Sequence, residues 1–142
     1  LVGAALLAAY HNAGGKIDLL SALKEMCARG RKVPGGACGF WGSGGAAVSS
    51  GMFMSIISGA TPLSEKTWGQ ANLITGRALL RIGETGGPRC CKRNSYLSIL
   101  SAVSYVKEIY GISMETGTVI CNRSRQNNQC IGSRCPFHPR TE

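Results

Sequence analysis

Seven cysteines stand in a chain of 142 residues: Cys27, Cys38, Cys90, Cys91, Cys121, Cys130 and Cys135. A thiolate can be a nucleophile, a redox group or a soft metal ligand, so their placement is the first question. The densest run is Cys121-x8-Cys130-x4-Cys135-Pro136-Phe137-His138. Its surroundings are too poor in apolar residues to fold by packing. Ligand bonds to a metal can supply that ordering energy, so three thiols here point to a metal clamp. Proline directly after a cysteine also occurs in ferredoxin-type cluster sites. The spacings match no standard zinc finger or ferredoxin. The expected centre is therefore an iron–sulfur cluster or zinc, since thiolates accept both. Free thiols and a disulfide are the alternatives for this stretch.

Three ligands need a fourth, and Cys91 is the expected one, with Cys90 as alternate. Both sit at the start of a helical stretch, where the dipole and Arg89, Lys92 and Arg93 favour thiolate over thiol. His138, three residues after Cys135, is a second alternate that would complete a zinc site; its plainer reading is a solvated histidine. Cys38 lies in the glycine-rich run Gly35-Gly36-Ala37-Cys38-Gly39, just before an expected helix start. It is the candidate catalytic thiol, with Arg89, Cys90 and Trp41 beside it in a cofactor or substrate pocket. Its plainer reading is a small residue packed in a tight turn. A cysteine hydrolase needs a nearby histidine, and only His11 and His138 exist; His11, at a helix end, reads as structural. Cys27 falls on an apolar helical stripe and reads as a small buried hydrophobe.

Helices must position these groups. Leu1 to Ala13 reads as one, stopped by Gly14-Gly15. Asp18 caps a second that runs to Arg29, with Leu19, Leu20, Leu23, Met26 and Cys27 at helical spacing. The segment from Ser43 to Ser58 carries small residues (Gly44, Ala46, Ser50, Gly51) among Met52, Phe53, Met54, Ile56 and Ile57. Being apolar on nearly all sides, it belongs at the centre, where small residues let another helix approach. A fourth helix is expected from Thr61-Pro62 to about Glu84. A fifth, capped by Asn94 or Ser95, is expected to end at Gly111. The fold class is therefore all-α, a single bundle of about five helices over residues 1–111. An irregular cysteine-rich tail, 112–142, is expected to be held on that core by metal or cluster ligation. Gly42-Ser43-Gly44-Gly45-Ala46-Ala47 fits a dinucleotide fingerprint formally, but no strand precedes it, so helix packing explains it better.

Composition bounds the rest. Hydrophobic residues make up 44% and charged residues 16%, which suits a folded chain. Twenty glycines and few aromatics imply a core of aliphatic side chains and close backbone contacts. The net charge of +9 is heavier from Arg77 onward, the half that carries most cysteines. Those cations either offset clustered thiolates or face an acidic partner, and no nucleic-acid-binding motif accompanies them. An odd cysteine count without a secretion signal points to the cytoplasm. Asn122-Arg123-Ser124 fits a glycosylation pattern, irrelevant in that compartment. No stretch approaches a membrane span. Leu1 reads as the middle of a helix, so residues upstream are expected to exist in the native chain. The apolar central helix is compatible with a homodimer.

The run Gly35 to Ala47, followed by Gly51, resembles the glycine-rich core of redox-active Cys-Gly-Ala cysteine proteins. Three blocks are more closely similar to an uncharacterised, mainly archaeal and anaerobe family: Cys38 to Pro62, Gly86 to Arg93, and Cys130 to Phe137. That resemblance covers most of the chain, and its most specific parts are Cys90-Cys91-Lys92-Arg93 and Cys135-Pro136-Phe137. It implies association with a methyltransferase, or a redox partner protein, and no established reaction. In that family a second cysteine often sits near Ser43 or Gly44; its absence here argues against a dithiol role for Cys38.

Three functions follow. The first is a metal- or iron–sulfur-binding domain, redox-active or accessory to an anaerobic enzyme. The second is a cysteine-dependent enzyme using Cys38 on a small substrate. The third is a basic interaction module built on Arg123, Arg125 and Arg134.

Overall fold

The computed structural model describes residues 1–139. Its elements are α1 (Val2–Asn12), α2 (Leu19–Gly30), α3 (Ala37–Phe40), α4 (Gly45–Ser58), α5 (Lys66–Thr85) and α6 (Cys91–Tyr110). Single 3₁₀ turns follow at Ser124–Gln126 and Gly132–Arg134. The all-helical expectation holds, and α3 is a four-residue addition inside the glycine-rich turn. Residues 140–142 of the expected tail lie outside the described residues. No described helix is long and apolar enough to cross a membrane.

Each helix begins and ends for a local reason. Asp18 caps α2, its carboxylate accepting a 2.7 Å bond from Ser21 N. Gly59 and Gly111 end α4 and α6 in the left-handed region, at φ 65° and 68°, where a side chain would be strained. Two starts differ from expectation. Thr61-Pro62 does not open α5: Thr61 N donates to Ser64 Oγ at 3.0 Å, and Ser64 N donates to Thr61 O at 3.1 Å. These bonds close a separate turn, so the helix waits until Lys66. At α6 the cap is Cys90, not Asn94 or Ser95, because Asn94 N already donates to Cys90 O at 3.0 Å.

α4 is the central element, packed against α1, α2, α5 and α6. The core joins Leu6 and Leu7 of α1, Phe53 and Met54 of α4, Ile74 of α5, and Tyr105 and Val106 of α6, all essentially inaccessible. Cys27 is exposed, against expectation: the stripe of α2 buries only Ala22 and Met26, and Cys27 falls off its edge. The small-residue reading of α4 has its clearest instance at Gly51. A Cβ there would overlap Thr75 Oγ1 and stand 3.3 Å from Ala71 O on α5. Overpacking costs about 1–3 kcal/mol, while Ala gains up to about 1 kcal/mol over Gly in helix propensity. The clash wins. Gly51→Ala is therefore expected to lower stability by about 1–2 kcal/mol in denaturant melts, with part of the loss recovered when Thr75→Ala removes the hydroxyl. Unchanged melting of the single variant would show that α4 and α5 are not packed this closely.

Candidate functional site

The cysteine-rich tail runs back over the start of α6 and encloses a cleft of about 570 Å³. Five cysteines line it: Cys90 and Cys91 from the α6 start, and Cys121, Cys130 and Cys135 from the tail. Residues about thirty to forty-five positions apart in sequence thus meet around one space. Every cysteine of the chain is unpaired. Among the described residues, no three His, Cys, Asp or Glu side chains are grouped closely enough to grip one metal ion. The sulfurs surround a space; they do not converge on a point.

Three features set that geometry. The first is a pair of apolar anchors: Phe137 is buried and packs edge-to-face on Tyr96 of α6, centroids 5.2 Å apart, and Ile131 is buried nearby in sequence. The second is backbone closure. Cys121 N donates to Phe137 O at 2.7 Å, which joins the two ends of the tail, and short turn bonds position Cys130 and Cys135. The third is hydrogen bonding to sulfur. Asn127 Nδ2 donates to Cys90 Sγ at 3.6 Å, and Gly132 N donates to Cys130 Sγ at 3.4 Å.

His138 lines the same cleft. Its N–H donates to Cys135 O at 3.1 Å, and its Nδ1 lies 2.9 Å from Pro139 O. That carbonyl can only accept, so Nδ1 is the donor in this contact and Nε2 is the ring nitrogen left for a ligand. Metal-binding histidines are commonly held this way.

The floor of the cleft depends on Arg93. Its side chain is 3% exposed, and Nη2 donates to Gly86 O at 2.8 Å and Pro88 O at 2.7 Å. It therefore ties the turn between α5 and Cys90 to the first turn of α6. Its Nε is buried without a hydrogen-bond acceptor among the described residues. Arg89, Lys92 and Arg123 complete the cationic lining, and no carboxylate of the described residues joins them.

Cys38 occupies a smaller cleft, about 240 Å³, on the other side of Arg89 and Cys91, with Gly44 and Ser49 of the α4 region. It sits within α3, not just ahead of a helix. Trp41 does not join it. That side chain is 69% exposed and faces a separate groove with Val33, Pro34 and Met52. The expected pocket of Cys38, Arg89, Cys90 and Trp41 is therefore divided: Cys90 lines the main cleft, Cys38 the small one, Arg89 both, and Trp41 neither. His11 is exposed near the end of α1, remote from both clefts' linings. Asn127 and Tyr96 escaped the sequence reading. Asn127 is one polar residue in a polar tail, and Tyr96 read as part of the apolar stripe of α6.

No curated protein and no solved structure matches the chain. A family model does match, over residues 1–138, so the chain belongs to the family of unknown function DUF5714.

Proposed function

We propose that this domain binds an iron–sulfur cluster or a zinc ion in the main cleft, through Cys121, Cys130, Cys135 and one cysteine of the Cys90-Cys91 pair. The observation that carries the reading is that five cysteines from two distant segments line one cleft. Zinc holds sulfur at about 2.3 Å, so two thiolates on one ion lie about 4 Å apart. A cluster is several atoms wide and holds its cysteines farther apart. Thiols that ring a roomy space suit the cluster with less movement of the tail. Zinc has His138 in its favour, as an alternate ligand with Nε2 available.

Cys90 is the better fourth ligand, because Asn127 donates to its sulfur and ties it to the tail, whereas Cys91 is exposed. Seven unpaired thiols suit a reducing compartment such as the cytoplasm. A redox role, or an accessory role beside a methyltransferase or a redox protein, agrees with the resemblance of the Cys90-Cys91-Lys92-Arg93 block. The alternative of catalysis at Cys38 draws support from the small cleft it shares with Arg89 and Cys91.

Elemental analysis and an absorption spectrum of anaerobically purified protein test the main reading. About one cluster or one zinc per chain is expected, with Cys90→Ser losing most of it and Cys91→Ser retaining it. Protein free of iron and zinc would sink the proposal. Equal retention in both variants would return the fourth place to His138.

A further inference from the structure

The cations of the main cleft exceed what holding the tail requires. Arg89, Lys92, Arg93 and Arg123 line it, and among the described residues no aspartate or glutamate does. Among the described residues the ion pairs of the chain are Arg29–Glu25 and Arg77–Glu108, and neither belongs to the cleft lining. Arg93 is the telling member. Burying a guanidinium without a counter-charge is costly, and a buried N–H without an acceptor adds to the cost. Among the described residues Arg93 bears both, at 3% exposure and with Nε unpartnered. Beside it the α6 N-terminus has no side-chain cap, which leaves the positive end of a 20-residue helix at the same cleft.

We propose that the cleft binds a small oxyanion, the carboxylate or phosphate group of a small molecule, against Arg89 and Arg123, with the buried positive charge of Arg93 behind them. Guanidinium forks match the two oxygens of such groups, and a helix start adds backbone donors. The volume of about 570 Å³ is that of a small-molecule site. A concave space of this size excludes a nucleic-acid duplex, which a basic protein would meet on an open face. Tyr96 and Phe137 give the same cleft an aromatic wall, so the anion belongs to an organic molecule with an apolar portion. This inference takes its site from the reading of the previous section and assigns that site a ligand class.

The rival account is that the cations serve only to neutralise ligated thiolates. Calorimetric titration of the anaerobically purified protein with inorganic phosphate, at ionic strength held constant with sodium chloride, separates the two. Saturable binding is expected. Arg89→Gln and Arg123→Gln should each weaken it about tenfold, since a bond to a charged group is worth that much. Metal content, measured on the same samples, should fall far less than phosphate affinity in both variants. Absence of saturable heat, or binding in Arg89→Gln and Arg123→Gln equal to that of the parent, overturns the proposal. Binding that appears only after metal is stripped overturns it too, because the cations then serve the thiolates alone. Phosphate binding by protein that purifies anaerobically without iron or zinc would sink the metal reading and leave this one standing; metal without phosphate binding would do the reverse.

Discussion

Simultaneous replacement of Cys121, Cys130 and Cys135 by serine is expected to remove all bound metal and release the tail from the helical core. Between 115 and 139 only Ile131 and Phe137 are buried. Fixing each residue of such a stretch costs about 1–2 kcal/mol in backbone entropy, and burying one large side chain returns only about 1.5–3 kcal/mol. Two anchors do not hold a chain of this length. Hydrogen bonds such as Cys121 N to Phe137 O help, but each contributes about 1 kcal/mol net. Ligand bonds are what can close the difference, since metal binding supplies folding free energy directly. The core should be spared, because the main cluster of Leu6, Leu7, Phe53, Met54, Ile74, Tyr105 and Val106 contains no tail residue beyond Met114. Limited proteolysis is the check. The triple variant should be cut within 115–139 at least tenfold faster, leaving a resistant fragment that still melts cooperatively. A tail equally resistant in parent and triple variant would show that packing alone holds it.

This division between core and tail also explains what the sequence could disclose. Helical periods of apolar residues and end signals such as Asp18 and Gly111 are local. They located the helices well, because each is decided by residues within one or two turns. The misplaced starts of α5 and α6 share a cause. Thr61 and Asn94 are good caps in isolation, but Thr61 closes its own turn with Ser64, and the backbone of Asn94 is already engaged by Cys90. Competition between two local bonds is not visible in residue types.

The candidate site is legible in its cysteines and not in its walls. Cysteine is rare enough that spacing alone drew attention to Cys121, Cys130 and Cys135, and all three reach one cleft with Cys90 and Cys91. Trp41 was assigned to Cys38 because it lies three residues away, yet α3 turns the two side chains toward different grooves. Cys27 is expected inside because it falls on an apolar stripe, but α2 fully buries only Ala22 and Met26, with Leu19 and Leu23 partly buried beside them, and Cys27 is exposed. Asn127 carries no signal of its own. Its importance comes from a tertiary contact, the approach of its amide to Cys90 Sγ across 37 residues.

Arg93→Met is expected to have the second large effect, and it separates positioning from packing. Methionine fills similar space without charge, so the core of α6 around Leu97 and Ser98 need not collapse. Two energies then oppose each other. The variant loses hydrogen bonds to Gly86 O and Pro88 O, each worth about 1.5–3 kcal/mol for a charged donor. It also escapes the desolvation cost of a buried guanidinium, which is several kcal/mol. Global stability should therefore fall by only about 1–2 kcal/mol. The turn is another matter. Without Arg93, nothing else among the described contacts ties Gly86 and Pro88 to α6, and the residues that follow are Arg89, Cys90 and Cys91. Bound metal should drop to about a third of the parent level, with phosphate affinity lowered at least tenfold. Arg93→Lys should recover part of the metal, since an ammonium can reach one carbonyl but cannot fork across two. A variant that melts several kcal/mol lower yet keeps its full metal content would make Arg93 a packing residue and leave Cys90 positioned by α6 alone.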